Sequence, residues 1–187
     1  LRVSNPETIF DSKQLFDNQP IFWGESLETG SGISSAHSSL TASTVLTSTL
    51  NTAGKFTRQT FMRFNYHPGK SQLILMTGII SRSGGGTGVQ RRIGLFDDDN
   101  GLFFEDNEGI VNIVRRTNVT GTPTDIKIPQ SSWNKDKMDG TGTSRITVDW
   151  SKTQIFSIDF EWLGVGRVRY FLDIGGTGSS SVTMSDN

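Results

Sequence analysis

The chain has 187 residues, with 18 basic side chains against 19 acidic ones and no cysteine. That length carries one domain with a substantial core and makes two full domains cramped. The balanced charge points to neither nucleic acid nor an acidic membrane as partner, the lack of cysteine removes disulfides, thiol nucleophiles and cysteine-bound zinc, and no apolar run approaches the roughly 20 residues of a membrane-spanning helix.

Residues 1–30 are rich in Asn, Asp and Pro and read as an irregular N-terminal arm. Residues 31–52 are biased to Ser and Thr, and Leu40, Val45, Leu46 and Leu50 recur among them, which fits a strand of small residues better than a linker. Further strands are expected over Lys55–Phe64 and Gln72–Ile80, the latter apolar enough for cover on both faces. A meander follows over Gln90–Phe96, Leu102–Glu105 and Ile110–Arg116, then a short strand around Ile126 and Ile128 before Pro129. Arg145–Trp150, Thr153–Trp162 and Gly166–Leu172 complete the set. Residues 175–187 have linker composition, and Leu1 stands where a start Met would, so the sequence reads as a piece of a longer polypeptide. No stretch sustains a helical apolar stripe. The expectation is an all-β antiparallel sandwich over 31–174, jelly-roll or concanavalin-like, with a barrel as the alternative.

Two hairpins can be set in register. In QIFSIDFEWLGVGRVRYFL, Phe156, Ile158, Phe160 and Trp162 share one face. A three-residue loop, Leu163–Val165, places Phe160 opposite Val168, Asp159 opposite Arg169 and Glu161 opposite Arg167; a two-residue loop mixes the faces. In GLFDDDNGLFFEDNEG a loop of Asp98–Gly101 places Phe96 opposite Phe103 and Leu95 opposite Phe104, with the acids of both turns in water.

Motifs for chemistry are mostly excluded by spacing. The acidic stretch fails the regular calcium loop: with Gly101 at its sixth position, Phe96 and Asn107 occupy ligand positions. An irregular site at Asp97, Asp98 or Asp99 stays open. HPGKS lacks the first glycine of a phosphate loop, where Phe64 stands, and SGGGTG has no strand–loop–helix setting. His37 and His67 are the only histidines, and neither has a nucleophile motif beside it. Asp159 and Glu161 are the best pair for glycoside hydrolysis. Ser157 and Trp162, however, stand where the laminarinase-type pattern needs acids, and the register sets each carboxylate opposite an arginine, which suits a structural role better. Trp133, with Asn134 and Asp136 beside it, lies in a polar loop and is placed either to contact a glycan or to plug the end of the sandwich; Trp150 and Trp162 follow core parity. No cofactor motif is present.

Three blocks, AGKFTRQTFMRFNYHPGKSQLILMTG at 53–78, RRIGLFDDDNGLFFE at 91–105 and SSWNKDKMDGTGTSRITVDWSKTQIFSIDFEWLGVGRVRYF at 131–171, resemble a family of virion structural proteins from tailed phages and large aquatic viruses. Members of that family carry a lectin-like sandwich. Arg145 departs from the pattern, which has glycine after the serine of GTGTS. The resemblance implies a non-enzymatic protein of the virus particle, a capsid-associated, decoration or tail component, with capsid or tail proteins as partners and a homo-oligomeric state. A carbohydrate- or receptor-binding module of a tail fibre, meeting surface glycan, is the alternative; a glycan hydrolase is the third reading.

Overall fold

A computed structural model describes residues 6–49, 53–65, 67, 69–81, 86–161, 166–174 and, for the backbone, 180–185. The chain forms two compact units, Leu1–Tyr66 and His67–Asn187. The division therefore lies well beyond the expected arm boundary at residue 30. Apart from one 3₁₀ turn, Gln130–Ser132, the regular structure among the described residues is all β.

The first unit holds two antiparallel ribbons. Strands β1 (Trp23–Gly30) and β4 (Gly54–Thr60) pair with a register shift between Leu27 and Thr29. Strand β1 lies inside the expected arm; WGESLETG lacks apolar alternation, and it is β4 that satisfies its backbone. The Ser/Thr-rich stretch forms two strands, β2 (Ile33–Ser38) and β3 (Ser43–Ser48), around a turn with Leu40 at its tip and Ala42 at φ 47°. Leu50 and Trp162 lie outside the described residues.

The second unit is a sandwich of two four-stranded antiparallel sheets. One runs β12 (Ser180–Ser185), β11 (Arg167–Asp173), β10 (Gln154–Glu161), β5 (Gln72–Gly78); β12 falls in the expected tail. The other is a simple meander of β6 (Gln90–Phe96), β7 (Gly101–Asn107), β8 (Ile110–Thr117) and β9 (Thr124–Pro129). Alternate residues of facing strands make the core: Phe104 and Ile113 from the meander meet Phe156, Ile158, Tyr170 and Leu172. The Phe104 ring lies 4.9 Å from Phe156 and 5.4 Å, edge-on, from Tyr170. The Tyr170 hydroxyl donates to the Val114 carbonyl at 2.8 Å, and burial pushes its pKa up. Strand β5 is covered on one face only. Ile74 and Met76 pack on the core, but Leu73 and Leu75 are 47% and 64% exposed, because β5 is an edge strand of a two-layer structure.

Two local expectations are corrected. Phe96 pairs with Gly101 and Leu95 with Leu102, so the β6–β7 loop is Asp97–Asn100 and the register is two residues away from that expected. The Asp97 carboxylate accepts the amides of Asp99 at 2.9 Å and Asn100 at 2.7 Å, closing the turn one residue earlier. Gly101 becomes a strand residue, where a Cβ would lie 2.1 Å from that of Phe96. Arg145–Trp150 is a loop rather than a strand, with a single bridge between Asp139 and Thr147. Arg145 has φ 54°, the left-handed region that glycine favours, and Asp149–Lys152 turns immediately after.

Candidate functional site

The densest chemistry lies on the face of the meander turned away from the core. Arg92 is opposite Glu105, Gly94 opposite Phe103, Phe103 opposite Val114 and Val114 opposite Lys127, so these side chains share that face. Glu105 is wholly buried; it accepts from Arg92 Nε at 2.9 Å and from Lys127 Nζ at 2.5 Å. Arg116 grips Asp125 with two hydrogen bonds, Nε to Oδ1 at 2.7 Å and Nη2 to Oδ2 at 3.0 Å. That bond holds the Asp125 carboxyl below its ordinary value and raises the Arg116 pKa. The guanidinium carbons of Arg92 and Arg116 lie 5.3 and 5.5 Å from the Phe103 ring centroid. The charged side chains thus form a lid over Phe103 and Val114, both wholly buried on a face that the sandwich core does not cover.

Of the six acids in GLFDDDNGLFFEDNEG, then, Glu105 and Asp106 are strand residues with no exposed surface, contrary to the expectation that all stay in water. Asp106 binds Arg91 at 2.7 Å and accepts the Gly109 amide at 3.0 Å, which fixes the Glu108–Gly109 turn, both residues at positive φ. Asp97 closes the other turn, and Asp99 accepts from Asn118 Nδ2 at 2.7 Å. Among the described residues no three His, Cys, Asp or Glu side chains converge as metal ligands.

Across β10 and β11, Asp159 is opposite Arg169 and Glu161 opposite Arg167. Arg169 Nη2 reaches Asp159 Oδ2 at 2.5 Å, with the Asp159 side chain nearly buried. Arg169 also lies over the Phe171 ring at 5.7 Å. The outer pair, Glu161 and Arg167, is more exposed.

The 133–150 loop is built inward. Trp133 is 4% exposed; its indole N–H donates to the Ile128 carbonyl at 3.2 Å and its ring meets Trp150 edge-on at 6.1 Å. Trp150 in turn stacks on Phe156 and donates to Gln130 Oε1. A ring that stacks on a sugar needs an open face, and packing has taken both of Trp133's. Asn134 is exposed beside it. Asp136 is buried and accepts the amides of Met138 at 2.8 Å and Ser144 at 2.6 Å. Burial opposes its ionisation, but these amides outweigh it and hold the carboxyl below the ordinary value. Gly142 passes so close that a Cβ there would lie 2.2 Å from Asp136 Oδ1. Asp136 is the pin of this loop.

Sequence reasoning missed a cavity of about 640 Å³ in the first unit, lined by Trp23, Glu25, His37, Arg58 and Phe61 among others. Arg58 lies 4.9 Å above the Trp23 ring, pairs with Glu25, and donates to the Asn18 carbonyl at 2.6 Å and Gln14 Oε1 at 3.0 Å. His37 Nε2 contacts the Gln14 carbonyl at 2.9 Å. These polar groups already bind one another. No alternation in residues 12–25 signals the arrangement, since its order comes from side chains meeting backbone carbonyls. Compared with family models, curated proteins and solved structures, the chain matches none.

Proposed function

We propose that the chain is a non-enzymatic structural component of a virus particle, capsid-associated, decoration or tail, built on a jelly-roll or concanavalin-like sandwich and acting through protein–protein assembly. The observation that supports a non-enzymatic role is the engagement of its carboxylates. Glu105 is bound by Arg92 and Lys127, Asp125 by Arg116, Asp159 by Arg169, and Asp136 by two backbone amides. Hydrolysis by paired carboxyls needs one of them protonated and both facing a substrate. Acids tied to cations and amides serve architecture instead. The three sequence blocks that resemble virion proteins supply the biological setting, and the buried Trp133 weighs against glycan contact through that ring.

Quantitative mass spectrometry of purified, washed particles tests the proposal. The expected result is this chain at a fixed multiple of a symmetric coat or tail protein. Its loss from the particle fraction on washing, or polysaccharide turnover abolished by Asp159→Asn, would contradict it.

A further inference from the structure

We infer that the outer edge of β3 is a self-association edge: two copies of this chain pair their β3 strands antiparallel across a two-fold axis through Val45. Each β2–β3 ribbon thereby becomes half of a four-stranded sheet. The inference rests on the assembly reading, to which it adds the element and the partner.

Four observations converge. First, Thr29–Gly54 is a run of 26 residues without Asp, Glu, Lys, Arg or Pro. Strand edges that stay unpaired are ordinarily blunted by charge, proline or a bulge. The neighbouring β1–β4 ribbon is blunted in this way, with Glu25, Glu28, Lys55 and Arg58 on it and the register shift after Leu27. So is β9, which carries Asp125, Lys127 and Pro129. The β2–β3 ribbon has none of these devices.

Second, β3 is made for pairing. Its sequence, STVLTS, is β-branched at three of six positions, and Val45 and Leu46 are 44% and 50% exposed on opposite faces, so a continued sheet gains apolar contact on both sides. The Val45 face is flat: Ser34, Ala36 and Thr47 are its exposed neighbours. The opposite face is occupied near Thr44, whose hydroxyl contacts Gln14 and Asn18. A two-fold through Val45 sets Val45 against its copy on that flat face and Leu46 opposite Thr44 on the other.

Third, the ribbon is held to the rest of its unit by polar contacts and not by a core. Among the described residues, every buried hydrophobic side chain lies between Ile80 and Leu172, all in the second unit. Two-stranded sheets are marginal in water, and three or more strands are needed for independent stability. Fourth, the charge balance favours a like partner. Leu1–Tyr66 holds five basic and five acidic residues, a net charge of zero, so two copies approach without repulsion. An antiparallel edge-to-edge contact is self-complementary and closes after two chains.

The experiment is sedimentation velocity and light scattering on the full chain at micromolar concentration, with Val45→Glu and Val45→Lys variants. The wild type is expected as a dimer, or as a larger oligomer built of dimers. Each variant alone should weaken that association by roughly tenfold or more, since like charges are then set opposite one another across the interface. An equimolar mixture of the two variants should restore it, which a folding defect cannot do. A monomeric wild type, an unaffected Val45→Glu oligomer, or a mixture that stays monomeric would each overturn the inference. None of these removes the chain from the particle, so incorporation into particles decides the assembly reading separately.

Discussion

Replacing Glu105 with glutamine keeps its size and removes its charge from the middle of the lid. The native carboxylate is wholly buried between Arg92 Nε at 2.9 Å and Lys127 Nζ at 2.5 Å. Each such charge-assisted hydrogen bond contributes about 1.5–3 kcal/mol, and the amide oxygen of Gln retains one ordinary bond of about 1 kcal/mol. The new amide N–H₂ also faces a cation. Breaking a fully buried pair costs about 3–5 kcal/mol. Here the Arg92 and Lys127 side chains are 24% and 34% exposed and recover part of the loss by turning to water. The expected destabilisation is therefore ~2–3 kcal/mol, a fall in Tm of about 4–12 °C at ~2–4 °C per kcal/mol for a chain of this size. Urea unfolding followed through the fluorescence of the buried Trp133 and the half-buried Trp150 should show a lower midpoint with unchanged slope. A loss below about 0.5 kcal/mol, the range of ordinary surface substitutions, would refute the lid.

Three further outcomes follow from single sites. Gly101→Ala places a Cβ against Phe96 and should cost about 1–3 kcal/mol, as overpacking does, read as a drop in Tm; a neutral result would mean the hairpin register is wrong. The hydrogen bonds from Arg116 hold the Asp125 pKa below its ordinary value, so this carboxylate contributes its full stability above the ordinary value and loses it as pH falls through the lowered one. Acid titrations of stability should thus be shallower below about pH 4 in Asp125→Asn than in the wild type, and identical slopes would contradict the pairing. Arg145→Gly relieves a left-handed backbone that costs a side chain about 1–2 kcal/mol and adds unfolded-state entropy of about 0.5–1 kcal/mol. A small rise in melting temperature is expected, and a fall would show that the Arg145 side chain stabilises the loop.

The β10–β11 hairpin was legible because its sequence carries two agreeing signals. Phe156, Ile158 and Phe160 fix the inner face, and Asp159 with Arg169 fixes the register by charge. The meander's strands were legible from apolar runs, but its register was not. In the expected register Arg92 faces Asn107; the two-residue shift brings it opposite Glu105 and creates the lid. A shift of two leaves every side chain on its face, so hydrophobic pattern alone cannot detect it. The Asp97 turn decided it, its carboxylate accepting the amides of Asp99 and Asn100. For the same reason Asp136 looked like a ligand contact, since nothing in the sequence shows that the Met138 and Ser144 amides converge on it. Arg145 gave a signal of another kind: its departure from glycine marks the one non-glycine residue of GTGTSR held at positive φ.

Cryo-electron microscopy of purified particles tests most directly the proposal that this chain is a structural part of a virus particle. Density for the two-sheet sandwich of the second unit should repeat at symmetry-related positions, each copy touching a coat or tail neighbour. Particles whose symmetric density is fully explained by other chains would contradict it.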